Sequence, residues 1–470
     1  MEQITLVSPS RTRRGLPIAG AVVVALLAGV FLRVWVWDHS SSLHFAGDVG
    51  NGLNWGLFVL RQADEITGHP QVKGEPVPIT AFLRGYWRSY DKIAADAQAR
   101  NGDYRLDYTP ARLLVMSLWA RQVRAANPQV AGWDPNDTWP LLWLNTVCEI
   151  LSAVGIFWLV MQWTDRRINA SLAAAMLVWF DPSVILNDVV FPQWDIWLMP
   201  FYIFAACFCS MGLLSRKRQE AWWGWAGVLL AIGGMLKGQI FTVATLFLMW
   251  ALFRMQWKSA LRMVIGFMSA MLVMVLPWLA RGSFAWYRIG FRYPMDHFRV
   301  PAAGTVYNLP AILARRFGWR LYDPVWHGLT FQLTLRLVFF AMLIACAIGL
   351  AMQSRRRNPR ALLGFAAPWV LLFAFAPQMH CRYLVWGAVI TCIAPALGLG
   401  MTLLHLLITA ISFTMIMQTL LMVHPDVAPN LYQALKGFDP ELGWVVVLVA
   451  IILLYGLLDS TKSINAGKNG

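Results

Sequence analysis

The sequence predicts an all-α polytopic membrane protein with about twelve transmembrane helices and a long outer loop that carries amphipathic helices. Of its 470 residues, 58% are hydrophobic and 13% are charged, whereas soluble domains carry roughly 25% charged residues. Apolar runs of about 18 residues or more recur along the chain, as is typical of transmembrane helices. Short basic connectors such as Arg216-Lys217-Arg218 separate many of them, and in the predicted topology these connectors share one side of the membrane.

The predicted topology places two polar segments on the opposite side. The first apolar run, about Gly15 to Trp37, is long and lacks a small-residue cleavage site, so we interpret it as an uncleaved helix rather than a signal peptide. Residues 38–139 form the first outer loop, in which Tyr108 to Val123 is predicted to be an interfacial amphipathic helix. Residues 281–328 form a second outer loop. Because no internal repeat or linker divides the chain, residues 1–470 are predicted to form a single integral-membrane domain.

The composition excludes several other classes of protein. A net charge of +15 is compatible with nucleic-acid binding, but many Lys and Arg residues lie in short connectors instead of on a basic face with interleaved aromatic residues. We therefore predict no nucleic-acid partner. The six cysteines show neither metal-ligand spacing nor a disulfide framework. Since no acidic cluster demands a metal ion, the sequence predicts no metal and no other cofactor.

Ionisable residues from separate loops are predicted to meet at the outer face. Such residues are costly near the hydrocarbon and usually face a cavity or one another. Lys237 joins this face if the stretch Trp222 to Phe253 forms two short helices with a break around Lys237-Gly238-Gln239. The other members of the group are Asp48, Asp107, Asp188, Gln193, Asp195, Arg292, Asp296, His297 and the segment Gln378 to Tyr383. Their convergence predicts a polar site at the outer membrane surface.

These residue types suit the transfer of a group from a lipid-phosphate carrier. Asp48 is the leading candidate for a general base that removes the proton of an acceptor hydroxyl. The donor phosphate would develop negative charge as it departs, and cationic side chains stabilise such charge. The candidates for this role are Lys237, His380, Arg382 and Arg292. The donor would be held by a lipid tail in a groove between spans.

Each candidate also has a structural interpretation. Gly47-Asp48-Val49-Gly50 is ordinary turn sequence, and we interpret Asp107 first as the N-cap of the helix that begins near Pro110. Lys237 is long enough to extend to the membrane interface. Arg382, beside aromatic residues, suits an interfacial anchor. Gln193 and Asp195 suit the start of the fourth span.

Six short motifs occur in order between residues 48 and 383. They are Asp48 in the first outer loop, Asp107-Tyr108-Thr109-Pro110, Pro192-Gln193-Trp194-Asp195, Lys237-Gly238-Gln239, Tyr307-Asn308-Leu309 and Met379-His380-Cys381-Arg382-Tyr383. In this order they resemble the motifs of GT-C fold glycosyltransferases. The likeness is greatest to bacterial integral-membrane relatives of the dolichyl-phosphate-dependent glucosyl- and mannosyltransferases. The chain departs from that pattern at Cys381, where the family has an acidic residue, and at Thr109, where it has proline.

The resemblance implies an inverting, single-displacement transfer of a sugar from a polyprenyl-phosphate donor, with Asp48 as the base. It implies a lipid-linked or surface glycan, or a protein, as the acceptor. It also implies a bacterial inner membrane with the site facing the periplasm. By the same resemblance, further residues bind substrate or organise the loop: Asp107, Tyr108, Gln193, Asp195, His297 and Asn308.

Two other functions share parts of this pattern. A lipid or glycan flippase, or another transporter, would spread polar residues through the midplane of many spans, often with repeat symmetry. Here the polar residues gather at one face, which favours the enzyme. A glycan ligase or polymerase shares the predicted geometry and stays open. The sequence does not identify the sugar, the acceptor or the oligomeric state.

Overall fold

The computed structural model describes residues 15–45, 47–68, 76–100, 102–214, 219–297 and 300–459. These residues are mostly helical, with four short strands among them, which confirms the all-α polytopic class. Seven described helical segments are long and apolar enough to cross a membrane: Ala19–His39, Pro135–Trp163, Ile168–Val190, Asp195–Leu214, Trp257–Leu279, Phe331–Arg355 and Leu399–Val423. Shorter apolar helices accompany them at Gln239–Phe253, Ala361–Phe375, Cys381–Ala396 and Leu442–Leu458. The exact number of spans stays a prediction.

The helices follow the predicted apolar runs closely. In chain order they are α1 (Gly15–His39), α2 (Gly47–Thr67), α3 (Ile79–Gln98), α4 (Pro110–Ala126), α5 (Trp139–Trp163), α6 (Ile168–Trp179), α7 (Pro182–Ile185), α8 (Met199–Leu214), α9 (Gln219–Leu236), α10 (Gln239–Phe253), α11 (Trp257–Leu279), α12 (Ala285–Tyr287), α13 (Tyr293–His297), α14 (Leu309–Phe317), α15 (Phe331–Arg355), α16 (Ala361–Phe375), α17 (Leu384–Thr391), α18 (Leu399–Val423), α19 (Pro429–Lys436) and α20 (Leu442–Leu458). Short 3₁₀ or π turns join several of them, at Ser41–Leu43, Pro135–Thr138, Leu186–Val190, Asp195–Leu198, Arg288–Arg292, Cys381–Tyr383 and Ala394–Ala396.

The first outer loop folds into a helical unit. Along α2, the apolar residues Val49, Leu53, Leu57 and Leu60 recur every three or four positions and are buried, as an amphipathic helix requires. This face packs against α3 and α4. The helix α4 confirms the predicted amphipathic helix of the loop. The unit rests on the membrane helices through contacts of α4 with α9.

The predicted break between two short helices is present. Lys237 and Gly238 lie between the end of α9 and the start of α10. Helix α9 approaches α11 closely at Gly227. A Cβ atom added to Gly227 would lie 2.1 Å from the carbonyl oxygen of Met263, so only glycine fits there. Small residues permit such close packing of membrane helices. The contact therefore fixes the helix whose end at Leu236 precedes Lys237.

A short parallel strand pair ties the second outer loop to the Met379-His380 motif. Strand β1 (Ala302–Ala303) pairs with β4 (Met379–His380), and the Gln378 amide donates a hydrogen bond of 2.7 Å to the Pro301 carbonyl. Strands β2 (Pro324–Trp326) and β3 (Leu329–Thr330) form a small antiparallel hairpin before α15. The β1–β4 pairing sets the position of His380.

A buried ion pair joins α1 to α5 inside the membrane region. The Arg33 guanidinium donates to the Glu149 carboxylate through Nε at 2.9 Å, and to the carbonyls of Gly29 and Trp179. Charged groups within spans are tolerated when they are paired in this way. Asp188 is buried in the same interior region and does not line the outer cavity described below. Its predicted place in the outer polar group stays a prediction.

Candidate active site

A cavity of about 1150 Å³ lies between the outer loops and the helices α10, α15 and α16. Its polar part is lined by Asp48, Asp107, Arg112, Lys237, His380 and Arg382. Its apolar part is lined by Leu236, Phe241, Leu337, Phe339, Phe340 and Leu372. Pockets for small ligands typically measure about 300–1,000 Å³, so this cavity is large enough for a whole small molecule.

Asp195 lies at the centre of a buried ion cluster beside the cavity. The Lys237 Nζ donates a hydrogen bond to Asp195 Oδ1. The Arg382 Nε lies 3.0 Å from Oδ2 as an ion pair without hydrogen-bond geometry. Trp386 donates to the Asp195 carbonyl at 2.9 Å. Since both cations are buried and paired, the alternatives of an interfacial extension for Lys237 and an interfacial anchor for Arg382 are wrong.

Asp48 is joined to this cluster through Arg382. It lies in the first turn of α2, a helix of 21 residues, so the interpretation of its sequence as a turn is wrong. Arg382 Nη1 donates to Asp48 Oδ2 at 2.5 Å. Burial raises the pKa of Asp48, but the charges of Arg382 and Arg112 outweigh it and hold the pKa below its ordinary value of 3.8. The half-buried carboxylate is therefore ionised at neutral pH.

His380 lines the cavity as a neutral side chain. Burial and the nearby charge of Arg382 lower the pKa of His380 from 6.5 to about 3. Its Nδ1 lies 3.1 Å from Cys381 Sγ. At neutral pH the imidazole can therefore contribute hydrogen bonds at the cavity but no positive charge. Cys381 itself is buried, accepts a hydrogen bond from Thr419 at 3.2 Å and lies outside the cavity lining.

Arg112 is a cavity residue that the sequence interpretation missed. Its Cζ lies 3.6 Å from the ring centroid of Tyr108 and 4.5 Å from that of Trp194. Within the described chain its guanidinium has no carboxylate partner in contact. In the sequence it only interrupts an apolar stretch. The detectable signal is an arginine in the first turn of an amphipathic helix, five residues after Asp107.

Asp107 lines the cavity and does not cap α4. The N-cap residue is Thr109, which makes no side-chain capping bond, so the prediction of an Asp107 cap is wrong. The Asp107 carboxylate is half-buried and, among the described residues, has no hydrogen-bond or ion-pair partner. Tyr108 is buried and lines the cavity beneath Arg112.

The remaining predicted site residues lie elsewhere. Gln193 is buried and donates to the Phe191 carbonyl at 3.0 Å, away from the cavity lining. Asn308 caps α14 by accepting from the Ala311 amide at 2.9 Å, a structural role. Arg292 is exposed at the end of a π turn and does not line the cavity. The side chain of His297 lies outside the described part of the chain.

One group of potential metal ligands occurs among the described residues, away from this cavity. Asp181, Cys392 and His405 are buried, with ligand atoms within 4.8 Å of one another. The Asp181 carboxylate already accepts hydrogen bonds from the Ser183 amide at 2.8 Å and the Thr409 hydroxyl at 2.8 Å. These hydrogen bonds satisfy the buried Asp181 carboxylate from both α7 and α18.

Comparison with known families agrees with the motif pattern. The model of the dolichyl-phosphate-mannose-protein mannosyltransferase family matches residues 135–280. No curated protein matches the chain. The matched segment contains Asp195 and Lys237, two of the three residues of the buried ion cluster. The match confirms the similarity of this integral membrane protein to GT-C fold glycosyltransferases and supports glycosyltransferase activity as its general class.

Proposed function

We propose that the protein transfers a sugar from a polyprenyl-phosphate donor to an acceptor hydroxyl at the outer face of the membrane, with inversion at the anomeric carbon. The observation that carries the proposal is the composition of the cavity. One continuous space is lined by apolar side chains, by five cationic side chains and by the Asp48 carboxylate. A lipid that carries a phosphorylated sugar needs this combination of surfaces.

The apolar channel suits the isoprenoid chain of the donor. Leu337 and Phe340 on α15 line it and are 51% and 45% exposed, so the channel is continuous with the lipid-facing surface. Phe241 on α10 forms the other side. The donor's isoprenoid would leave a lipid environment that is as apolar as the channel, so this contact would position the donor and leave most of its affinity to the sugar phosphate.

The cations suit the donor phosphate. Five cationic side chains line the cavity, and four carboxylates line it or lie beside it. The cations are Arg105, Arg112, Lys237, Arg336 and Arg382, and the carboxylates are Asp48, Asp103, Asp107 and Asp195. The excess positive charge at this position favours a phosphate anion. Arg112 has no carboxylate partner in contact among the described residues and so presents its donors without loss of an existing ion pair. A guanidinium bound to phosphate through two N–H groups forms strong, directed hydrogen bonds.

In the proposed reaction, Asp48 accepts the proton of the acceptor hydroxyl. The acceptor oxygen attacks the anomeric carbon from the side opposite the phosphate, and the bond between that carbon and the phosphate oxygen breaks. The cations stabilise the charge on the departing polyprenyl phosphate. Arg382 engages only Oδ2 of Asp48, which leaves Oδ1 for the acceptor. A carboxylate with a low pKa is a weak base, so proton transfer would come late, after the anomeric carbon has become electron-deficient.

The orientation of the site follows from the charge of the connectors. Basic segments such as Arg355-Arg356-Arg357 lie at the opposite ends of the helices from the cavity in the predicted topology, and such segments favour the cytoplasm. The cavity would then face the periplasm of a bacterial inner membrane.

Donor selectivity tests the proposal. The full chain in detergent is incubated with radiolabelled polyprenyl-phosphate mannose or glucose and with extracted membrane lipids and glycans, and in parallel with the matching nucleotide sugars. We expect labelled sugar to be transferred from the polyprenyl-phosphate donors and not from the nucleotide sugars. A Lys237→Met variant should lose this activity, whereas Lys92→Met, at an exposed ion pair on α3, should retain it. Equal transfer from nucleotide sugars without a lipid carrier would reject the donor assignment.

A further inference from the structure

We propose that the acceptor is a carbohydrate and that Asn51, Trp55 and Asp107 bind its sugar ring on the outer-loop wall of the cavity. The inference rests on the proposed function and adds to it the chemical class of the acceptor. Asp48, Asn51 and Trp55 occupy positions i, i+3 and i+7 of α2, so they share one face of the helix. All three line the cavity, which places the base at one end of this face and the indole at the other.

Trp55 presents an apolar ring to the cavity in a fixed position. It is half-buried, and its ring packs edge-on against Phe58 with a centroid distance of 5.6 Å and an angle of 73°. Among the described residues neither Trp55 nor Asn51 has a side-chain hydrogen-bond partner. An indole beside an amide offers an apolar face for the C–H side of a sugar ring and polar atoms for its hydroxyls.

Asp107 faces the same space on a rigid backbone. The hydroxyls of Tyr86 and Tyr90 donate to the carbonyls of Pro110 and Tyr108, each at 2.7 Å. Thr109 donates to the Leu236 carbonyl at 3.1 Å. This anchoring holds a half-buried carboxylate, without a partner among the described residues, at the wall of the cavity. A pair of sugar hydroxyls would satisfy it, because hydroxyls donate and a carboxylate only accepts.

The wall disfavours the other acceptor classes. A lipid tail has no groups to pair with Asn51 and Asp107. A peptide hydroxyl would leave the flat indole face without a matching ring. A polyhydroxylated ring uses the amide, the carboxylate and the indole together, so it is the acceptor that these three groups favour.

A second groove borders this wall. Asp103 and Arg105 line the cavity, whereas Tyr104 between them lines a neighbouring groove of about 520 Å³ against α3 and residues 283–288. The Tyr104 ring meets Tyr293, itself a cavity residue, edge-on with a centroid distance of 5.3 Å. These two aromatic rings therefore lie between the cavity and the groove.

Three acceptor pools test the inference with the full chain in nanodiscs. Radiolabelled polyprenyl-phosphate mannose or glucose is offered with mixed gluco- and manno-oligosaccharides, with peptides rich in serine and threonine, or with lipids freed of glycan. We expect label on the oligosaccharides. Trp55→Ala, Asn51→Ala and Asp107→Asn should each raise the acceptor KM about tenfold while the donor KM stays within about twofold, as expected for loss of one stacking or hydrogen-bonding contact to the acceptor.

Trp326→Ala serves as the matched control, because Trp326 is 67% exposed in β2 and lies outside the cavity. Label on peptides or on glycan-free lipids alone, or release to water alone, overturns the acceptor class. An unchanged acceptor KM in all three cavity variants overturns the assigned wall. If label leaves the polyprenyl phosphate in none of the pools, the proposed function fails, and with it this inference.

Discussion

Removal of the Asp195 charge should destabilise the protein strongly. In Asp195→Asn, Lys237 loses its only carboxylate contact among the described residues, and Arg382 keeps only Asp48. At the observed 3.0 Å between Arg382 and Asp195, Coulomb's law with an effective dielectric constant of about 20 gives roughly 5 kcal/mol. Loss of one partner from a buried pair typically costs about 3–5 kcal/mol. We therefore expect the free energy of unfolding to fall by roughly 3–5 kcal/mol.

A double-mutant cycle in mixed detergent micelles, with unfolding by SDS followed by tryptophan fluorescence, measures this loss. Because Asp195 and Lys237 share one interaction, the double variant Asp195→Asn/Lys237→Met should be more stable than the sum of the single effects predicts, by roughly 2–3 kcal/mol. Asp96→Asn at the exposed Lys92 pair is the control and should cost less than about 1 kcal/mol. Strictly additive single effects, or a loss in Asp195→Asn as small as that of the control, would show that the buried ion cluster does not stabilise the protein.

Three further variants test separate parts of the structure. Arg112→Ala should raise the KM for the polyprenyl-phosphate donor roughly tenfold or more, because it removes a charge-assisted bond to phosphate, as measured by initial rates. The His380 pKa is lowered from 6.5 to about 3, so between these pH values the unfolded chain binds a proton that the folded protein does not. The free energy of unfolding should therefore fall as the pH drops through this window. In His380→Asn, unfolding curves should show a smaller fall over the same pH range. Gly227→Leu should cost about 1–3 kcal/mol by overpacking against Met263, and Gly20→Leu, with open space around its Cβ position, should be neutral.

Each of these variants has a contradicting outcome. An unchanged donor KM in Arg112→Ala would remove that guanidinium from the phosphate site. If wild type and His380→Asn lose stability equally between pH 6.5 and 3, His380 is not held neutral by its surroundings. Equal melting temperatures for Gly227→Leu and Gly20→Leu would show that the contact between α9 and α11 tolerates a side chain.

The sequence predicts the membrane architecture well because hydrophobic length is a local property. The break at Lys237 and the amphipathic helix at Pro110 are both visible in the pattern of polar residues, and both are present. The position of Asp188 was not predictable in this way. Asp188 lies near a span end in the sequence, yet the chain between α7 and α8 buries it near Glu149, and only tertiary packing determines that burial.

The candidate site was predictable in its members more than in their contacts. From residue type and order along the chain, the sequence predicts that Asp48, Lys237 and Arg382 share one face. It does not predict that Asp195 lies between the two cations. The capping interpretation of Asp107 followed a sound local rule and was wrong because the helix begins at Pro110 with Thr109 as its cap residue. Arg112 was missed because an arginine in an amphipathic helix ordinarily faces solvent, and only the fold turns it towards the cavity.

The transfer rate of Asp48→Asn tests whether Asp48 is the base of a lipid-phosphate sugar transferase. The asparagine can still accept the Arg382 hydrogen bond, so the site should keep its shape while it loses the base. With radiolabelled polyprenyl-phosphate sugar and extracted acceptors, the rate should fall about 10²- to 10⁴-fold, with donor binding retained. Transfer at the wild-type rate by a folded Asp48→Asn protein would show that Asp48 is not the base.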